Sequence, residues 1–250
     1  MSTTTTRTPA RPPALAADTA RALAPAEYDR FLTQLRELDP GAWRRPTDCP
    51  GWDVRAMAGH VLGMAEMVAS AGQLVRQNAA AWRAGGGIDA LTAVQVRRTS
   101  RLTAAELLDR FAAVAPRAAR GRARLSRSIG RLPVPEAQVV GDGTERWRFG
   151  YLFDVILTRD TWMHRIDIAR ATDRETVLTA GHDGVLVADV VGEWAQRHGR
   201  PYDLRLTGPA GGRSSAGQGG PELELDAVEF CRILSGRAPG DGLLAQQVPF

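Results

Sequence analysis

Through the first 170 positions, apolar residues recur three and four apart, the spacing of helices that bury one face. PAEYDRFLTQLRELDP (25–40) shows this period and ends at a proline, and WDVRAMAGHVLGMAEMVASAGQLVRQNAAAW (52–82) predicts a long second helix stopped by Gly85-Gly86-Gly87. LTAAELLDRFAAVAPRAARGRARLSRSI (102–129) predicts a third, opened by a Thr103-x-x-Glu106 capping box and carrying Pro116 as a point of kinking. RFGYLFDVILTRDTWMHRIDIARA (148–171) predicts a fourth. After about 173 the texture changes. GHDGVLVADVVGEWAQRHG (181–199) predicts an amphipathic helix, YDLRLTGP (202–209) a strand and turn, GGRSSAGQGG (211–220) a loop, ELEL (222–225) a short strand, and AVEFCRILSG (227–236) a helix closed by glycine. The fold class expected is α with a small α+β domain: a four-helix bundle over 23–175, then an α+β unit over 176–250.

One feature of the pattern resists a purely structural reading. On the fourth helix Phe153, Ile156, Leu157, Met163, Ile168 and Ala171 share an arc of roughly 120°, and Asp160, His164 and Asp167 fall in its middle. An unpaired charge there costs several kcal/mol, on the order of partly relaxed buried ions. The second helix repeats the anomaly: His60 is flanked on its wheel by Ala56, Met57, Met64, Met67, Ala71, Leu74 and Val75. Its start is marked by Cys49-Pro50-Gly51, with Asp53 as N-cap and Trp52 and Met57 placed for a hydrophobic staple. A divalent metal bound by His60, Asp160 and His164 resolves the burial, since Asp160 and His164 lie one turn apart and three protein ligands leave a coordination position open. Asp167 is placed either to orient His164 through its other ring nitrogen or to bind an arginine at the bundle end. The competing reading is ordinary: a lone buried histidine is more often hydrogen-bonded core than a ligand.

Composition narrows the function classes. The 250 residues are 44% apolar and 24% charged, as in ordinary globular proteins, and no run approaches the eighteen or so apolar residues of a membrane span. Residues 1–22 (MSTTTTRTPARPPALAADTA and two more) read as a flexible tail without the apolar core of a signal peptide, so the expected location is cytoplasmic. Cys49 and Cys231 make no disulfide framework. All 32 basic residues are Arg, a mark of a high-GC genome rather than of chemistry, and the net charge is +4. Arg117, Arg120, Arg124, Arg127 and Arg131 would line one helical face, but no aromatic residue lies between 112 and 146 to stack on bases. A solvated face is the better reading, and no nucleic-acid or membrane partner is expected.

PTDCPGWDVRAMAGHVLG (46–63) resembles the PxxCPGWxVxxxxxHLxG signature of the mycothiol-dependent maleylpyruvate isomerase family, within the wider DinB/YfiT-like group of metal-binding four-helix bundles. RDTWMHRIDIARATDR (159–174) is similar to its second segment, usually E-x-x-x-H followed by D-I/L, and the C-terminal stretch from LRLTGPAGG to the closing VPF is similar to its small C-terminal domain. The resemblance runs from about residue 25 to the end. It implies a cytoplasmic enzyme acting on a small-molecule substrate, as monomer or homodimer, with mycothiol as thiol cosubstrate and a divalent metal, zinc by default, on His60, Asp160 and His164. Asp160 departs from the family's usual glutamate. Arg237, in the sequence SGR, matches the family's essential C-terminal arginine, with the implied role of holding a substrate carboxylate, while Cys49 is expected to be packed and structural.

On that resemblance, a metal-held thiolate adds to an electrophilic carbon, and the chain is a thiol-dependent isomerase or S-transferase. The alternative is a metal- or small-molecule-binding or regulatory protein of the same fold that has lost catalysis, for which the change from Glu to Asp is the main argument.

Overall fold

The computed structural model describes residues 10–250; the first nine residues of the expected tail lie outside it. Helix α1 spans Ala17–Arg36, α2 Val54–Ala69, α3 Ala71–Arg83, α4 Gly87–Thr99 and α5 Ala104–Ile129. A helical turn α6 (Phe149–Tyr151) and a π turn (Leu152–Ile156) lead without a break into α7 (Leu157–Ala171). Helices α1, α2, α5 and α7 form the bundle, around a core that includes Phe31, Leu35, Met57, Val61, Leu62, Leu107, Phe111, Phe153 and Ile168.

The capping box of α5 is present, with Thr103 accepting from the Glu106 backbone N–H and the Glu106 carboxylate from that of Thr103, and the helix runs through Pro116. The expected single helix over 52–82 is two. Ser70 is extended (φ −143°, ψ 123°) and its hydroxyl caps α3 by accepting from Gln73 N at 3.4 Å. At the break α5 crosses so close to the end of α2 that a Cβ on Gly121 would stand 2.0 Å from the Val68 carbonyl oxygen. Helix α4, which the hydrophobic pattern did not announce, packs against α2 at two further glycines. A Cβ on Gly59 would meet the Thr99 hydroxyl at 2.3 Å, and one on Gly63 would meet Gln95 Cβ at 2.6 Å. Arg117, Arg120, Arg124, Arg127 and Arg131 are exposed, whereas Arg122 turns inward and donates to the Phe153 carbonyl in the π turn (2.8 Å) and to the Thr158 hydroxyl.

Beyond α7, α8 (Asp183–His198), strands β3 (Tyr202–Thr207), β4 (Gly212–Ala216) and β5 (Glu222–Asp226), and α9 (Ala227–Leu234) form the α+β unit; β1 (Gln138–Val140) and β2 (Gly143–Glu145) are a separate small hairpin. The sheet order is β4-β3-β5, antiparallel between β3 and β4 and parallel between β3 and β5. Strand β4 corrects the loop expected over 211–220. Its side chains are mostly exposed, so an edge strand of Gly, Arg and Ser carries no alternating signal, and pairing with β3 (Leu204 opposite Ser214) alone defines it.

Two expectations about boundaries change. Residues 10–22 are not a free tail: Arg11 pairs through its backbone with Arg146 and Arg148, its guanidinium reaches Glu145 at 3.4 Å, and α1 begins at Ala17. Nor does the core divide near 175. Leu23, Trp162, Met163 and Ile166 belong to the same apolar cluster as Val190, Trp194, Leu204 and Phe230, so α7 packs into the bundle on one side and into the α+β unit on the other. Each such side chain contributes about 1.5–3 kcal/mol by leaving water. No helix among the described residues is long and apolar enough to cross a membrane.

Candidate metal centre

The site is assembled from the start of α2 and the middle of α7. Asp53 caps α2, accepting from Ala56 N at 2.8 Å, and the preceding loop is held by Thr47 N to the Trp52 carbonyl (3.0 Å) and Trp52 N to the Cys49 carbonyl (3.1 Å). This fixes the Trp52 indole against both imidazoles, with ring centroids 5.2 Å from His60 and 5.9 Å from His164. His60 follows two turns into α2, and Asp160 and His164 face it from α7.

The three side chains converge as their spacing on the helices predicts. Nε2 of His60 lies 3.5 Å from Oδ2 of Asp160, and Nε2 of His164 lies 3.4 Å from its Oδ1. A tetrahedron with bonds of about 2.1 Å, the length of zinc bonds to nitrogen and oxygen, has edges of about 3.4 Å. Both histidines are about 95% buried, with 5% and 4% of their surface left. Nδ1 of His60 and Oδ2 of Asp160 are buried without any hydrogen bond. A buried carboxylate oxygen left without a hydrogen bond beside one imidazole nitrogen, with a second imidazole nitrogen facing the other oxygen of the same carboxylate, is an arrangement that a cation satisfies, so the residues present fit a divalent ion. Burial opposes charge on Asp160, yet the two imidazoles outweigh it and hold its carboxyl well below the ordinary carboxylate range. Burial likewise opposes charge on His164, but Asp160 and Asp167 raise it well above the usual imidazole value. The ion-free cluster is thus built to hold positive charge, for which a proton and a metal compete.

Asp167 takes both roles that the sequence left open. Its Oδ2 stands 3.1 Å from Nδ1 of His164, and its fully buried carboxylate receives Nε of Arg237 at 2.8 and 3.0 Å and Nη2 at 2.8 Å. Asp167 holds the proton on Nδ1 of His164, so once the proton shared between Nε2 and Asp160 is displaced, Nε2 is the nitrogen that His164 offers a metal. Arg237 therefore reaches the site through Asp167, with two of its three nitrogens committed there; among the described residues Nη1 makes no hydrogen bond. Cys49 is half-buried against the bundle core, 3.7 Å from Nη2 of Arg237 and 3.9 Å from Oδ2 of Asp167.

A second convergence, Glu27, His182 and Asp183, is an ionic core rather than a ligand set. His182 Nε2 is 2.6 Å from Glu27, Arg165 donates to Glu27 (2.8 Å) and Asp183 (2.5 Å), and Trp162 Nε1 donates to Asp183 at 2.9 Å. Its charges already have partners. Sequence reasoning missed this cluster and a companion in which the fully buried Arg159 is held by Asp189 (2.6 Å), Glu193 (2.9 Å) and the Pro249 carbonyl (3.1 Å). The available signal was the pair Arg159 and Arg165, two further charges on a helix that already carries Asp160, His164 and Asp167.

Residues 24–169, which contain all three candidate ligands, match the family described as the mycothiol maleylpyruvate isomerase N-terminal domain. The chain belongs to this family. Its fold is also that of a crystal structure of the mycothiol-dependent maleylpyruvate isomerase, with a TM-score of 0.54, 17% identity and 90% of each chain covered. A histidine-to-alanine mutant of that enzyme gives a TM-score of 0.52 at 16% identity with the same coverage. No curated protein sequence matches. The family match ends before Arg237, whereas the structural likeness, at 90% of the chain, reaches into the α+β unit.

Proposed function

We propose that this family member is a metal- and mycothiol-dependent isomerase or S-transferase acting on a small electrophile. The observation that carries the proposal is the convergence of His60, Asp160 and His164, with both imidazoles buried, their Nε2 atoms 3.5 and 3.4 Å from the two oxygens of Asp160, and Oδ2 of that carboxylate without a hydrogen bond. A divalent ion bound there, zinc by default, would supply the positive charge that keeps a coordinated thiol deprotonated at neutral pH. His60 and His164 contribute neutral Nε2 donors and Asp160 the opposing charge. Asp167 fixes the tautomer and ring orientation of His164, and Trp52 excludes water from the side of both rings that it covers. Arg237 holds Asp167 and has Nη1 left for a substrate carboxylate. A cytoplasmic location, small-molecule partners and a monomer or homodimer accord with this reading.

Elemental analysis of protein purified without added metal, followed by turnover of candidate electrophiles with and without mycothiol, tests it. Stoichiometric metal in the wild type, lost in His60→Ala and His164→Ala but kept in His182→Ala, together with thiol-dependent turnover, is expected. Full metal in both site variants would remove the trio, and metal without thiol-dependent turnover would leave a binding or regulatory protein.

A further inference from the structure

Helix α7 is out of phase with the segment that leads into it. The Leu157 N–H, which an α-helix would direct at the Phe153 carbonyl, is directed at the carbonyls of Leu152 and Val155, and the π turn so formed holds one residue more than an α turn. One residue in a helix is worth about 100° of rotation and about 1.5 Å of rise, so everything beyond the turn stands about 100° from where an uninterrupted helix would put it. The segment before the turn is anchored on its own account. Tyr151 Oη donates to the Glu193 carboxylate at 2.8 Å, and the rings of Phe149 and Phe153 stack with centroids 5.7 Å apart. The π turn is therefore the joint at which α7, and with it Asp160 and His164, takes its rotation.

Arg122, from the second half of α5, lies across that joint. It is 2% exposed, its Nε donates to the Phe153 carbonyl at 2.8 Å and its Nη2 to the Thr158 hydroxyl, one acceptor in the π turn and one in the first turn of α7. The carbonyl is the one from which the π turn withholds Leu157, and a buried carbonyl needs a donor. A planar guanidinium, with its donors fixed in a fork, serves both acceptors only at one orientation of the turn relative to the helix. For stability alone the residue is poorly placed. Among the described residues it makes no ion pair with a carboxylate, and its Nη1 has no partner. Asp154, whose carboxyl feels its charge, is bonded by Ser126 at 2.5 Å, and the Tyr28 ring lies 5.7 Å from the guanidinium. Burying a cation on those terms is costly.

We propose that Arg122 is a positioning residue for the metal centre: by bridging the Phe153 carbonyl and the Thr158 hydroxyl it holds the π turn open, and so sets the rotation at which α7 presents Asp160 and His164 to His60. Asp160 comes two residues after Thr158 and His164 six. Without the guanidinium, the Phe153 carbonyl takes back the Leu157 N–H, the turn tightens toward an α turn, and both ligands rotate away from α2. The inference rests on the metal-centre reading above and adds what fixes the geometry of that centre from a helix that supplies none of its ligands.

Arg122→Met keeps an unbranched side chain that fills the space but has no donor. In the full-length, metal-free protein its Tm should stay close to that of wild type, because two hydrogen bonds and a buried unpaired charge leave together. Zinc affinity should fall about tenfold or more, and the visible bands of the cobalt-loaded protein, which report ligand geometry, should change. The amides of residues 153–158 in the metal-free protein should exchange with solvent about tenfold faster while those of α9 keep their protection. Arg122→Lys, which keeps a cationic donor, should recover part of the affinity and of the protection. Zinc affinity and cobalt bands in Arg122→Met identical to those of wild type overturn the proposal. So does a loss of affinity accompanied by a fall in Tm that Arg122→Lys shares in full, which is the behaviour of a packing residue. If wild type takes up neither zinc nor cobalt, the metal-centre reading falls and the positioning role with it, and faster exchange at 153–158 in Arg122→Met then shows only that Arg122 braces the turn.

Discussion

Replacing Asp167 by asparagine separates the chemistry of the site from its architecture. The carboxylate is fully buried and accepts from both Nε and Nη2 of Arg237 while facing Nδ1 of His164 at 3.1 Å. Asparagine keeps the shape but has one acceptor oxygen, so its NH2 group must confront a donor, either the guanidinium or the imidazole N–H. Breaking a buried ion pair costs about 3–5 kcal/mol, and because Arg237 keeps 14% of its side-chain surface in water the expected loss is nearer about 2–3 kcal/mol. For a chain of this size that corresponds to a fall in Tm of about 4–12 °C. Loss of the group that orients a ligating histidine lowers metal affinity by about 10–100-fold. Thermal unfolding of the metal-free protein and zinc titration against a chromophoric chelator read the two effects separately. Arg237→Gln is the control: it removes the ion pair but leaves the contact between Asp167 and His164, so its Tm should fall comparably while zinc affinity moves less. Zinc affinity unchanged in Asp167→Asn would refute the orienting role, and an unchanged Tm as well would refute the energetic argument with it.

Asp160→Asn should weaken zinc about tenfold or more by removing the one anionic ligand, whereas Asp160→Glu, which restores the family's usual residue, should retain or tighten binding; Asn binding like wild type with Glu destabilised would take Asp160 out of the site. Burial opposes ionisation of Asp183 and Glu193, but Arg165 and Arg159 hold both carboxyls below their ordinary values. Their stabilisation is present above the unfolded-state pKa, about 4, and is lost as pH falls below it, so Tm should drop steeply between about pH 4.5 and 3 with exposure of Trp162 and Trp194 fluorescence; a flat Tm there would contradict the pairing. An isolated 23–175 fragment exposes Trp162, Met163 and Ile166 and strips Arg159 of Asp189 and Glu193, so it should aggregate or unfold more readily than the full chain, and a fragment melting like the full chain would show the two cores to be independent.

What was legible in the sequence was what neighbouring residues decide. The Thr103–Glu106 box and the Asp53 cap are local hydrogen bonds, and the chain makes them where the residues stand. The trio was legible because polar ligand types in the middle of an apolar arc contradict the helical period, and the contradiction survives folding. What could not be seen depends on distant partners. Ser70 has a side chain fit to cap a helix, but nothing near it announces that α5 will cross the end of α2 at Gly121, fifty-one residues on. Strand β4 has no burial to record in its pattern. Arg237 could be matched only to a role in binding substrate, because the carboxylate that occupies it lies seventy residues away on another helix.

Helix α7 explains why the candidate site and the domain boundary cannot be argued apart. Twelve of its fifteen residues are buried, so it has no solvent face along which to shift. Asp160, His164 and Asp167 look toward α2 and the α+β loop that carries Arg237, while Arg159, Trp162, Arg165 and Ile166 are gripped by α1, α8 and the C-terminal residues. A ligand must be held within about 0.5 Å of its working position to bind a metal well, and here that precision comes from neighbours on both sides of the helix. Arg159 is adjacent to Asp160 in the chain, yet its guanidinium is fixed by Asp189, Glu193 and the Pro249 carbonyl. Loosening this grip frees the backbone next to Asp160, so a substitution at Asp189 or Glu193 should weaken zinc binding although neither residue is among the three candidate ligands; zinc affinity unchanged in Asp189→Asn would show the two sides of the helix to be independent.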